Sequence, residues 1–177
     1  MLLSEKKKLN NISEYIIHMY QTEDLIRSFE FDLDQINTYV LKHIPGTIED
    51  KKELLLWYAG LIEKMRNEKI EKSGHLHEVT TKVDQMKSLH NKMKDSEKEY
   101  QKVIEKSSPH INKFNKLGKD MSLHIVDICF NGIYGLLLLK LQGKKVSSED
   151  NESLEAFGDI LSYLSYKYKQ QKFTTDN

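Results

Sequence analysis

Apolar residues recur along the start of the chain with a period close to seven, at Ile12, Tyr15, Met19, Ile26, Phe29, Leu33, Ile36 and Val40, with one polar interruption at Thr22. No Gly or Pro precedes Pro45, so this spacing predicts a long amphipathic helix that kinks or restarts at Phe31 to Asp34. Pro45-Gly46 ends it, and Thr47 with Asp50 has the spacing of a capping box for a second helix over 48–70. That helix carries Leu54, Tyr58, Leu61, Ile62 and Met65 on one face, with Trp57 at its margin. After Ser73-Gly74 a third helix, 75–94, presents a narrow stripe of Leu76, Val79, Val83, Met86, His90 and Met93 on a heavily charged rod. Ser96 and Glu99 read as a capping box for a fourth helix, with Tyr100, Val103, Ile104, Ile111, Phe114 and Leu117 inward. Pro109 inside it predicts a kink, or a fresh start with Ser108 as cap.

Beyond Gly118 comes the most apolar stretch, Met121 to Gly143. As a helix it divides along its length. Asp120, His124, Asp127 and Asn131 form one polar stripe in the first half, while Leu136 to Leu139 and Leu141 leave almost no wet face in the second. A membrane span needs about 20 mostly apolar residues, and Asp127 and Lys140 interrupt this one, so a span is rejected. Ser147 or Ser148 can cap a last helix with Leu154, Phe157, Leu161, Leu164 and Tyr168 in register. The pattern as a whole predicts an all-α fold: an antiparallel bundle of six or seven helices around a buried apolar helix near residues 120–142. Residues 1–177 are expected to form a single domain with a frayed tail from about 170.

Composition supports that picture, with 8 Gly and 2 Pro in 177 residues. Charge balances at 27 basic and 27 acidic residues, so nothing in the total points to nucleic acid or an anionic membrane. The distribution is uneven: 82–119 holds 10 basic and 5 acidic residues, which keeps weak nucleic-acid binding by this segment open as a subsidiary reading. Cys129 is alone, which excludes an internal disulfide or a cysteine zinc cluster and suits a reducing compartment. The N-terminus MLLSEKKKLNN is charged where a signal peptide needs an apolar core, so a cytoplasmic location is expected.

Local motifs for chemistry are missing. No Glu-x-x-His pair, His-Glu-x-x-His run, phosphate-binding glycine loop or Gly-x-Ser-x-Gly occurs. Three polar groupings remain. On the first helix, Glu14, His18, Gln21, Glu23, Asp24 and Arg27 read most simply as a solvated face, although Glu14 and His18 lie one turn apart, as metal ligands could. His75 and His77 could supply two metal ligands, but a polar loop-to-helix junction explains them more cheaply. The stripe of His124, Asp127 and Asn131 needs a cationic or hydrogen-bonding partner if it is buried, and Arg27, His18 or Tyr15 could provide one. Tyr15, His18, Asp24, Arg27, His124, Asp127 and Asn131 are therefore the residues expected to form a ligand site or a structural polar network.

The segments EYIIHMYQTEDLIRSF (14–29), WYAGLIEKM (57–65), SGHL (73–76) and CFNGIYGLLLLKLQ (129–142) resemble a family of small all-helical bacterial proteins, common in Bacteroidetes, known only as a domain of unknown function. The family often has Trp where Tyr20 stands, and a more acidic stripe near Asp127. The resemblance implies an all-α, cytoplasmic protein and supplies no catalytic residues.

The function expected from the sequence is a cytoplasmic interaction or scaffold protein without catalytic activity or cofactor, acting on an unknown protein partner or through self-association. A small-molecule- or metal-binding bundle using the polar stripe is the alternative.

Overall fold

The computed structural model describes residues 3–117 and 123–175, so Asp120, at the foot of the expected stripe, lies outside the described residues. These form eight α-helices and one 3₁₀ turn, and no strand occurs among the described residues. The chain divides into two compact units, Met1–Asn10 with Glu14–Thr81, and Asn11–Ser13 with Lys82–Asn177.

In the first unit α1 spans Leu3–Asn10, α2 Ile12–Ser28, α3 Leu33–Tyr39 and α4 Ile48–Asn67; a 3₁₀ turn at Leu41–His43 follows α3, and the unit ends in the first turn of α5 (His77–Met93). The long helix expected from the heptad pattern is thus interrupted, and its second part restarts as α3. Glu30 and Phe31 adopt φ of 51° and 64°, and Phe31 N–H donates to Ile26 O while Glu30 N–H donates to Arg27 O, both at 3.0 Å. That pair of bonds closes α2 in the Schellman manner without a glycine. Asp32 then caps α3 by accepting from Gln35 N–H at 3.0 Å. The capping box opening α4 forms as its spacing predicts, with Asp50 N–H on Thr47 Oγ1 and Thr47 N–H on Asp50 Oδ2. Lys69, at φ 58°, closes α4 by the same type of bonds, so the helix stops short of Ile70. Ile16, Met19, Ile26, Ile36, Leu41, Met65 and Leu76 form the buried core. Thr22, the polar interruption, is buried without penalty because its hydroxyl donates to His18 O at 2.8 Å and it also hydrogen-bonds Tyr58.

The second unit contains the cap of α2, where Asn11 Oδ1 accepts from Ser13 N–H at 3.1 Å, the remainder of α5, α6 (Lys98–Leu117), α7 (Ile125–Leu141) and α8 (Ser148–Thr175). Helix α8 packs on α6 and α7, which also touch each other. One local expectation fails, and of the two offered for Pro109 the fresh start does not occur. Ser96 does not cap α6, because its hydroxyl donates back to Lys92 O and terminates the charged helix before it. Pro109 starts no new helix: α6 runs through it, and the exposed Pro side chain sits where the lost amide bond is tolerated. Helix α7 buries Val126, Ile128, Cys129, Phe130, Gly132 and Leu136, but Leu141 is 70 % exposed, so the leucine-rich half is less enclosed than its composition suggests.

Candidate ligand-binding site

Glu23 is fully buried on α2. A carboxylate out of water needs donors, and the chain brings two from the α4–α5 connector: His75 Nδ1 at 2.6 Å from Oε2, and Leu76 N–H, which donates to Oε1 at 3.0 Å. The Tyr20 ring stacks on His75 with centroids 3.7 Å apart. One turn on, Arg27 donates to Asp24 at 2.8 Å, to Ile70 O at 3.1 Å and to Gly74 O. Arg27 therefore satisfies two carbonyls of the connector after α4. Together these bonds fix the connector onto α2.

Beside this clamp, α1, α2, α4 and the start of α5 border a cavity of about 330 Å³. Its apolar wall is Met19, Leu56, Trp57 and Leu61, and Gly60 contributes bare backbone: a Cβ placed there would meet nothing within 4 Å. Charges lie around it as Glu5 and Lys8 from α1, and Lys64 and Glu78, which pair at 3.3 Å. Two polar groups are sunk into the wall. Ser4 is 2 % exposed, and its Oγ has no hydrogen-bond partner among the described residues. Tyr15 is 3 % exposed; burial first, then the charges of Glu78, Glu5 and Glu23, push its phenol well above its ordinary pKa. Lys8 Nζ lies over the Tyr15 ring, 5.4 Å from its centre. The His18 ring runs parallel to Trp57 at 6.0 Å, and burial, then Lys7, lowers its pKa, so it is a neutral imidazole at pH 7.

In the second unit the expected stripe has other partners. The cation that meets Asp127 is Lys87 of α5, at 2.8 Å, held also by Asp84 at 3.5 Å. Burial alone pulls the Lys87 ammonium down, but Asp127 and then Asp84 raise it overall. His124 is the cap of α7, its Nδ1 accepting from Val126 N–H at 3.2 Å. Its ring sits edge-on to His90, whose Nδ1 is hydrogen-bonded to Tyr100 Oη at 2.8 Å. Asn131 is exposed.

Of the residues singled out in the sequence, Tyr15 borders the cavity, with His18 stacked on its Trp57 wall; Asp24 and Arg27 pair with each other and are not among its lining residues. His124 and Asp127 lie at the start of α7. His75 binds Glu23, while His77 is exposed and its backbone N–H donates to Glu68 at 2.6 Å. Among the described residues no group of three or more His, Cys, Asp or Glu is placed to hold a metal ion. Lys87 and the cavity residues Ser4 and Lys8 escaped the sequence reading, and Glu23, read there as part of a solvated face, is fully buried. The excess charge of 82–119 has local carboxylate partners: Lys106 meets Asp159 at 3.1 Å and Lys113 meets Glu149 at 2.8 Å.

Among the described residues no helix is long and apolar enough to cross a membrane. Comparison with curated proteins and with solved structures returned no match. A family model described as Domain of unknown function (DUF4924) matches residues 1–175, nearly the whole length, and the chain belongs to that family.

Proposed function

We propose that the chain is a binding protein whose first unit takes up a small molecule in the cavity bordered by α1, α2, α4 and α5. The observation that carries this reading is a recess of about 330 Å³ with one apolar side and a buried Ser4 hydroxyl that has no partner among the described residues. That volume lies at the low end of the roughly 300–1,000 Å³ of small-molecule sites, and the apolar side formed by Met19, Leu56, Trp57 and Leu61 faces a polar side of Ser4, Glu5, Lys8, Lys64 and Glu78. Gly60 supports it: glycine inside a helix costs about 1 kcal/mol relative to alanine, and here it keeps open space that a side chain would occupy. Ligand-observed NMR with a panel of small aromatic and aliphatic molecules tests the reading. Binding to the wild type that disappears in Gly60→Leu is expected; binding that Gly60→Leu leaves intact contradicts it.

A second reading, the interaction or scaffold role, draws on Ile48 and Leu56 of α4, 77 % and 73 % exposed. Sedimentation of wild type and Ile48→Glu separates the two: a self-associating scaffold loses mass on substitution, and a ligand-binding monomer does not. Weak nucleic-acid binding by 82–119 has less support, because Lys87, Lys106 and Lys113 each face a carboxylate.

A further inference from the structure

We propose that the molecule this cavity takes is an organic cation, a small apolar body carrying one ammonium group that seats over the face of Tyr15. The proposal rests on the cavity reading above and adds the chemical class. Lys8 Nζ already occupies a cation position over the Tyr15 ring, 5.4 Å from the centroid, at the edge of the recess. An aromatic face attracts a cation most strongly where water is excluded, and Tyr15 is 3 % exposed. Besides Lys8, the carboxylates of Glu78, Glu5 and Glu23 act on Tyr15 through their charge. Lys64 is engaged by Glu78 at 3.3 Å, so Lys8 is the movable cation of the set. A ligand ammonium that displaces Lys8 keeps the local charge unchanged, while its apolar body covers Trp57, Leu61 and Met19 and Ser4 Oγ gains a polar neighbour. The charged lining is balanced, Glu5 and Glu78 against Lys8 and Lys64, so the choice against a carboxylate ligand rests on the Tyr15 face, which attracts a cation and repels an anion.

Trp57 borders the cavity and is the only tryptophan of the chain, so its emission reports occupancy directly. The probes are phenethylamine, 2-phenylethanol and phenylacetate, which share one apolar body and differ in the charge of the head. Phenethylamine is expected to bind at least about tenfold more tightly than 2-phenylethanol, with phenylacetate weaker still. Lys8→Met removes the competing cation and tightens phenethylamine binding several-fold, Glu78→Gln weakens it, and Lys6→Met, the same charge change at an exposed position away from the recess, leaves it unaltered. A merely structural role for Lys8 does not give that pattern of signs. Equal or tighter binding of 2-phenylethanol or phenylacetate overturns the cationic class and leaves the cavity reading standing. No emission change with any probe, in wild type or Lys8→Met, overturns both.

Discussion

A carboxyl group with no exposure needs hydrogen-bond partners set against it, and Glu23 has His75 and the Leu76 amide. Glu23→Ala strands the buried Leu76 N–H and should lower stability by about 2–3 kcal/mol, whereas Glu23→Gln retains an acceptor and should cost roughly 1 kcal/mol. Urea unfolding of the two variants checks this, and equal losses would show that the bonds contribute little. His90 supplies a pH-dependent counterpart. Burial, then His124 and Lys94, depresses its pKa from 6.5 to about 4. Below pH 6.5 the unfolded chain takes up a proton that the folded chain refuses, so this contribution is complete above pH 6.5 and lost as the pH falls towards about 4. His124 is lowered by burial in the same sense. An NMR titration should place the His90 midpoint near the low value, and a midpoint close to 6.5 would contradict the packing against Tyr100. At this scale the sequence was half legible. Glu23 follows Met19 by four residues and precedes Ile26 by three, in register with Ile12 and Ile16, so a charge in an apolar position was visible. What hid its role was the partner, His75, which lies 52 positions along the chain.

Between elements, close approach decides what a position tolerates. A Cβ on Gly132 of α7 would come 2.5 Å from Phe157 Cε2 of α8, and Phe157 is fully buried and cannot swing away. Gly132→Ala should therefore cost about 1–3 kcal/mol through overpacking, although alanine is the better helix former. Gly135, one turn on, has nothing within 4 Å, and Gly135→Ala should stabilise by up to about 1 kcal/mol. Thermal melts that shift in the same direction for both would overturn the assigned contact. Helix ends divide along similar lines. The Thr47–Asp50 box and the Gly143 stop are local chemistry and were readable. Ser96 has the right spacing too, but a serine can return its hydroxyl to the preceding turn, and spacing does not say which it does. Glu30 and Lys69 end α2 and α4 in a conformation usually given to glycine, so neither end carried the usual mark.

For the molecule as a whole, the all-α character and the family were both legible, because periodic apolar stripes and full-length segments carry them. The cavity was not. It is bounded by residues from Ser4 to Glu78, and the part that α1 supplies looks like a solvated run of lysines. The uneven charge of 82–119, by contrast, resolves within the second unit, where Lys106 and Lys113 of α6 meet carboxylates of α8. The central claim is that the recess beside Met19 and Trp57 is a binding site. Methyl NMR of the methionines tests it most directly, since Met19 borders the recess and Met65, Met86 and Met93 do not. With phenethylamine present, the Met19 methyl resonance should shift in the wild type, those of Met65, Met86 and Met93 should hold, and Gly60→Leu should abolish the shift. A Met19 resonance that stays in place while the ligand binds elsewhere, or that still moves in Gly60→Leu, would contradict the account.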